Sequence, residues 1–502
     1  MNKTLGLLSG FILLIMLLSA CRTPAPVLTS TPPALETPQF AEGREIYRSG
    51  LIESAQPILA ELPGATEYRL DITIAADYLS VQGHESIRYT NRESDSLDAI
   101  YLRLFPNIAG GDLTVSSVTI AAQPVQPVEE AYRSSLRLPL AAPLAPQDAV
   151  ELELDFALTL PTEMGGNYGL LGFFDDILVL DTFYPVIPVY DASGWNASVP
   201  PPNGDLPYFD VSFYQVRVTA PANLVMAASG LAVDQKVNAD WQTVTYAVGP
   251  ARDFYLAASE QFARTTQVAN GVTVNCYAFA DRAEASAQAL QVVVAALEHF
   301  GARFGPYPYT EFDVVSTPML ALGVEYPAIT AINMELFDPA TIIRGIPAHV
   351  WLESVTAHEM AHQWFYNLVG NDQADEPWLD EAAAQYCTYL YYLDQYGLAA
   401  ADEYRGEWVA RWARVDQAEI PIGLPSGDYA AEEYSPIVYG RGPIFLFNLA
   451  ETMGEARFDA FLSAYADQYQ WGIATTADFK ALAEQSCDCD LTPLFTDWVY
   501  GP

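Results

Sequence analysis

The sequence predicts an α+β fold, a β-rich first half followed by a mainly helical second half, on three observations. From about Tyr68 to Ser259 the chain runs in short alternating segments broken by Pro, Gly, Asn and Asp, the two-residue period of half-buried strands. Past Gly271 the texture changes, and a long stretch from Arg282 to Phe304 carries apolar residues at helical spacing. A second such run, Val350 to Phe365, follows Pro347, closes at Gly370-Asn371 and contains two of the chain's five histidines.

In chain order, residues 1–21 read as an export leader. Lys3 precedes an apolar run from Leu5 to Ala20, short for a membrane span and ordered like a secretory signal. Leu18-Ser19-Ala20-Cys21 resembles the bacterial lipobox. Cys21 is therefore the expected lipidation site, and the protein is expected to be exported and lipid-anchored to a membrane of the bacterial cell envelope, with its domains outside the cytoplasm. Residues 22–60 read as a tether and short lead-in, since Arg22 to Gln39 is rich in Pro and Thr without apolar periodicity. Residues 61–260 read as a β domain, with Tyr68–Ile74, Ser86–Thr90, Val150–Leu154 and Tyr214–Val218 as its clearest strands. Residues 261–502 read as a second domain: a strand at Val272–Phe279, the helix Arg282–Phe304, strands near Phe312–Ser316 and Glu325–Ile332, then helices.

The chemistry is concentrated in His358-Glu359-Met360-Ala361-His362. Residues four apart on a helix lie roughly 40° apart around its axis, so both imidazoles leave one face and can share one ion, as in the H-E-x-x-H zinc motif. Glu359 is left beside the metal as a base. A hydrolytic zinc site needs three protein ligands and an open position. The third is expected from a second helix, Trp378 to Tyr386, where Glu381 lies nineteen positions after His362. One zinc per chain, held by His358, His362 and Glu381, is the expectation. His84, His299 and His349 have no such partners and read as structural or surface residues.

At these residues the chain resembles the zinc aminopeptidases related to membrane alanyl aminopeptidase and leukotriene hydrolase. Their pattern, H-E-x-x-H followed by a glutamate after eighteen residues, appears here as His358–Phe365 (HEMAHQWF) and Trp378–Ala382 (WLDEA). Leu322-Gly323-Val324-Glu325-Tyr326-Pro327 resembles the family's substrate-binding strand, which implies that Gly323 lines the substrate and that Glu325 binds its free amino group. Tyr434 to Gly442 resembles the segment carrying the family's catalytic tyrosine, which implies that role for Tyr439. Asp490 to Trp498 looks like the closing helix of the catalytic domain. The chain departs from the family in having Leu322 and Val324 for the usual glycine and methionine, and Arg441 for the usual lysine. The large C-terminal helical domain of longer members is not expected here. The resemblance implies a thermolysin-like, mainly helical catalytic domain and removal of N-terminal residues from peptides. An endopeptidase or epoxide hydrolase would use the same ligands, and a non-catalytic peptide-binding lipoprotein would suit the tether; the intact Glu359 and Tyr439 speak for an enzyme.

The formal net charge of −40, with 23 Lys and Arg against 63 Asp and Glu, argues against a nucleic acid partner, because phosphate binding needs cations. Peptide substrates and a membrane are the expected partners. Cys276, Cys387, Cys487 and Cys489 remain beyond the leader. Cys487 and Cys489 look too close in sequence for an easy mutual bridge, and Cys387 is expected to be a small buried thiol.

Overall fold

The computed structural model describes residues 40–501, apart from 202 and 205–207, and Cys21 with the leader and most of the tether lies outside the described residues. The β-rich first half is built on an eight-stranded sheet. Its strand order is Leu231–Asn238, Trp241–Ala251, Ser212–Pro221, Thr66–Ile74, Ser80–Thr90, Ala149–Thr159, Asp112–Ile120 and Gln123–Pro124. Thr66–Ile74 pairs parallel with Ser212–Pro221 and antiparallel with Ser80–Thr90. The alternation that predicts this strand also sets its faces, because Tyr68, Leu70, Ile72 and Ile74 all point into the core. A four-stranded sheet (Val225–Ala228, Leu256–Ser259, Ile177–Leu180, Leu171–Phe174), a three-stranded one (Leu97–Arg103, Ser135–Leu144, Val128–Glu130) and a two-stranded one (Tyr190–Asp191, Gly194–Trp195) also belong to this half.

The second half begins with a five-stranded sheet in the order Phe262–Ala269, Val272–Phe279, Glu311–Thr317, Ile329–Asn333, Gly323–Tyr326. The three central strands run parallel, and both edges are antiparallel. The crossover between the first parallel pair is a long helix, Ala283–Phe304, whose Ala289, Leu290, Val293, Ala296, Leu297, Phe300 and Phe304 are buried in one stripe. The order of a β-rich half followed by a helical one is the predicted α+β arrangement.

Four expectations change in detail. The stretch read as a single strand from Glu325 to Ile332 is a hairpin, because Pro327 withholds a donor and Ala328 turns the chain at φ +63°. The helix read from Val350 to Phe365 ends at Ala361. Beyond it, Tyr366 takes φ +147° and the Asn367 and Leu368 amides reach back to the His362 and Gln363 carbonyls, so the chain leaves the helix. The segment from Asp490 forms a short helix, Thr492–Phe495, continued by a π-turn to Tyr500. Cys487 and Cys489 do form a disulfide: the helix ends at Cys487, and Asp488 adopts a left-handed conformation that folds the two cysteines together. Cys276 and Cys387 are free, buried thiols. Among the described residues, no helix is long and apolar enough to cross a membrane.

Candidate active site

Two helices and one sheet edge make the site. The histidine helix, Ala348–Ala361, carries His358 and Glu359 and ends in His362, which caps it while remaining on the face of His358. The glutamate helix, Trp378–Tyr396, follows Pro377, which suits a helix start because it offers no backbone donor. Its first two turns are buried, and Glu381 emerges opposite the histidines.

The Nε2 atoms of His358 and His362 stand 3.2 Å apart, and Glu381 Oε2 lies 3.1 Å from the first and 3.6 Å from the second. Ligands of a tetrahedral ion bound at about 2.0–2.2 Å are about 3.3–3.6 Å from one another, so the triangle has the size of one ion's ligand shell. Tautomers agree. The ring of His362 must donate from Nδ1 to the Phe365 carbonyl at 3.0 Å, which leaves its Nε2 lone pair aimed into the triangle. Nδ1 of His358 lies 3.4 Å from the Gln385 amide, which the Tyr404 hydroxyl steadies at 2.7 Å.

The electrostatics also call for a cation. Burial raises Glu325, Glu359 and Asp380 above the ordinary carboxylate range, and their mutual fields or that of Glu381 raise them further, Asp380 to about 8. Glu381 is held below that range: burial pushes it up, but hydrogen bonds from His358 and His362 outweigh it. Burial lowers His358, whereas the surrounding carboxylates raise His362 against its burial. Four buried carboxylates around two imidazoles are balanced by a dication better than by protons, and the nitrogen and oxygen donor set suits zinc.

Glu359 follows the first ligand and turns toward the sheet edge. Its Oε2 is buried without a hydrogen-bond partner. Ligand atoms of Glu325, Glu359 and His362 all lie within 4.8 Å of one another, so Glu325 reaches the site from the edge strand as the resemblance implies. Gly323 begins that strand against the Glu359 side chain, where an added Cβ would stand 2.4 Å from Oε1. The Tyr439 hydroxyl donates to Glu381 Oε1, and its ring lies 6.2 Å from that of His358. Arg441 is not at the site. It donates to the carbonyls of Ile420, Asp497 and Trp498, tying the chain's last turn to the core.

Three residues that hold the site together are not among the sequence's candidates. Gln363 donates to the Tyr326 carbonyl at 2.9 Å and accepts from the Ala328 amide at 3.1 Å, which docks the hairpin of Glu325 on the histidine helix. It lies within the matched HEMAHQWF segment, so its place in the sequence was a signal. Gln373 donates to Glu325 Oε1 at 3.0 Å and Asp380 Oδ2 at 2.7 Å, and nothing in its sequence surroundings announces this. Arg252, from the first half, donates to the carbonyls of Tyr366, Asn367, Leu368 and Gly472 just behind His362, and to that of Phe209. Its neighbour Asp253 accepts the Tyr366 hydroxyl at 2.8 Å.

Of the remaining histidines, His84 pairs with Glu153 and Asp155 across neighbouring strands, and His299 meets Gln395 on the surface.

Comparison with known proteins places these observations in a family context. Residues 288–498 match the peptidase family M1 domain, a span containing all the site residues described above except Arg252 and Asp253. Aminopeptidase M1-B of Oryza sativa subsp. japonica is 25% identical over 325 residues, which covers 59% of this chain and 35% of that protein. Endoplasmic reticulum aminopeptidase 2 of Homo sapiens is 27% identical over 226 residues, 43% of this chain and 23% of that one. This chain thus spans about a third or less of the length of these curated relatives. In fold, it superimposes on an M1 zinc metallopeptidase from Deinococcus radiodurans with TM-score 0.66 at 22% identity, covering 91% of this chain and 97% of that one. A mutant of that enzyme, crystallised with a Tyr-Ser-Ala substrate, superimposes with TM-score 0.64, also at 22% identity, covering 91% of this chain and 97% of that one.

Proposed function

We propose that this chain is a zinc-dependent aminopeptidase of the M1 family, removing N-terminal residues from peptides; the M1 domain match over residues 288–498 supports this reading. The observation that carries the reading is the buried His358–His362–Glu381 triangle with Glu325 and Glu359 on its flank. His358, His362 and Glu381 hold one zinc, which when bound supplies Lewis acidity toward the scissile carbonyl and the attacking water. Glu359 accepts the proton of that water and delivers it to the leaving amine. Tyr439 turns its hydroxyl from Glu381 to the developing oxyanion. Glu325 receives the substrate's terminal ammonium, and Gln373 fixes the orientation of its carboxylate. Gly323 leaves room for substrate backbone and for Glu359.

The amino-end reading is tested on Glu325. A charge-assisted hydrogen bond to the ammonium is worth about 1.5–3 kcal/mol, so Glu325→Ala should lower kcat/KM for free-amine peptides by at least about tenfold with zinc content unchanged. Peptides with acetylated N-termini should be poor substrates of the native protein. Equal cleavage of acetylated and free peptides, indifferent to the mutation, would make the protein an endopeptidase.

Gly323→Ala probes the close approach of strand and base. The new methyl group would overlap the Glu359 carboxylate and displace it. We expect a fall in turnover of about tenfold or more, because misplacing a reacting group by about 1 Å can cost about 10²-fold, while fold and zinc content persist. Turnover within about twofold of native would show that Glu359 has room that its present position does not suggest.

The same protein is proposed to be an exported lipoprotein anchored through Cys21 to a membrane of the bacterial cell envelope. The support is the lipobox-like Leu18–Cys21 behind a leader-like run and before a Pro/Thr-rich tether. Cys21→Ser should move the protein from the membrane fraction to the soluble fraction. A mature N-terminus mapped to another residue would refute the anchor.

A further inference from the structure

His362 is steered from behind by a single peptide group, and the joint next to that group is held in a conformation the chain does not adopt by itself. The peptide between Phe365 and Tyr366 turns its carbonyl to the His362 ring, accepting from Nδ1 at 3.0 Å, and its amide to the Val369 carbonyl, also at 3.0 Å. The next torsion is φ of Tyr366, at +147°. The other non-glycine residues of positive φ among the described residues lie between +42° and +68°, the ordinary left-handed turn region, so Tyr366 stands apart. Glycine takes such a value freely, whereas a residue with a Cβ takes it under strain that persists only where its surroundings impose it.

Two consecutive residues of the first half impose it here. Arg252 and Asp253 follow the strand Trp241–Ala251, and both are buried. Arg252 Nε donates to the Tyr366 and Asn367 carbonyls, which fixes the chain beyond the strained joint. Asp253 Oδ2 accepts the Tyr366 hydroxyl at 2.8 Å, which fixes the side chain. A third contact comes from the same stretch: the Tyr309 hydroxyl donates to the Pro250 carbonyl and accepts from the Asn367 side-chain amide at 3.0 Å. Rotation about the N–Cα bond of Tyr366 would carry its hydroxyl off Asp253, its carbonyl off Arg252, or the Phe365 carbonyl off His362. The first half therefore reaches the ligand triangle through one short path, from Asp253 to Tyr366, to the Phe365 carbonyl, to the imidazole.

We propose that Arg252 and Asp253 are positioning residues for the zinc ligand His362, holding Tyr366 in its strained conformation and so keeping the Phe365 carbonyl on the imidazole. This rests on His362 holding zinc, and the experiment separates the two. The zinc dissociation constant of the full chain is measured by dialysis against a buffered chelator, and the visible absorption of the cobalt-loaded protein reports the ligand geometry. Tyr366→Phe frees the joint but leaves Asp253 buried without that partner, so it is paired with the double variant Tyr366→Phe with Asp253→Leu. Replacing both partners of a buried bond by apolar groups of similar shape is close to neutral for folding. The double variant should therefore melt near the metal-free native protein, yet both variants should bind zinc about ten- to a hundredfold more weakly and give an altered cobalt spectrum. Asp253→Asn keeps an acceptor oxygen and should stay within about threefold of the native zinc affinity. A purely structural pair would instead recover zinc affinity together with stability in the double variant. Native zinc affinity and cobalt spectrum in Tyr366→Phe or in the double variant overturn the positioning role. Asp253→Asn as weak as the double variant also overturns it, because the grip needs an acceptor and not a charge. Native protein that binds no zinc overturns the metal assignment, and the positioning role with it.

Discussion

Glu359→Gln is expected to lower kcat by about two to four orders of magnitude while zinc content and fold stay as they are. The amide is isosteric, so it fills the same space between the histidine helix and the Gly323 edge, but it cannot take a proton from water. The surroundings of Glu359 favour its protonated form. The group is buried and raised above the ordinary carboxylate range by that burial and then by the field of Glu325, so it holds a proton more tightly than an exposed glutamate. Relieving this crowded burial predicts that Glu359→Gln does not lose thermal stability, because the amide carries no charge to bury. Turnover within about tenfold of native would assign the proton transfer to another group.

His362→Ala should abolish zinc binding and activity together. The residue supplies one corner of the triangle, and its Nδ1–H bond to the Phe365 carbonyl fixes the ring's direction. Even the loss of a partner behind a ligand costs about 10–100-fold in metal affinity, so loss of the ligand itself should cost more than about 10²-fold. Elemental analysis of the purified variant, beside Glu381→Ala, measures this. Full zinc occupancy in both would remove the assignment. The apo variant should also show what the cation does for the fold, since Glu325, Glu359, Glu381 and Asp380 would then face one another without it.

The parts of the site legible in the sequence are those fixed by local geometry. His358, Glu359 and His362 share a helix face by spacing alone, and Glu381 follows on the next helix, whose start is marked by Pro377. Helix ends were less legible: the apolar spacing runs on to Phe365, but the backbone leaves the helix at Ala361, because Tyr366 and the carbonyls behind it are recruited by Arg252 and Asp253. That recruitment spans more than a hundred positions and has no periodic trace. Gln373 is similar, joining Glu325 on a strand to Asp380 on a helix. The hairpin around Pro327 was signalled by the proline itself, yet the apolar run on both sides of it reads as one strand.

The buried guanidinium of Arg252 has a consequence for anyone wishing to cut the molecule down. Its donors satisfy four carbonyls of the second half, at Tyr366, Asn367, Leu368 and Gly472, and Gly370 lacks a side chain where the guanidinium passes. The Leu368 and Gly472 carbonyls also accept from the Trp471 and Gly370 amides, but those of Tyr366 and Asn367 would be left without a donor at about 1–3 kcal/mol each, a large share of the stability of a domain. The metal-bearing half is therefore not a portable module: separated near residue 260, it would lose the brace behind His362, and a minimal catalyst carved from this chain would have to carry Arg252 and the strand that delivers it.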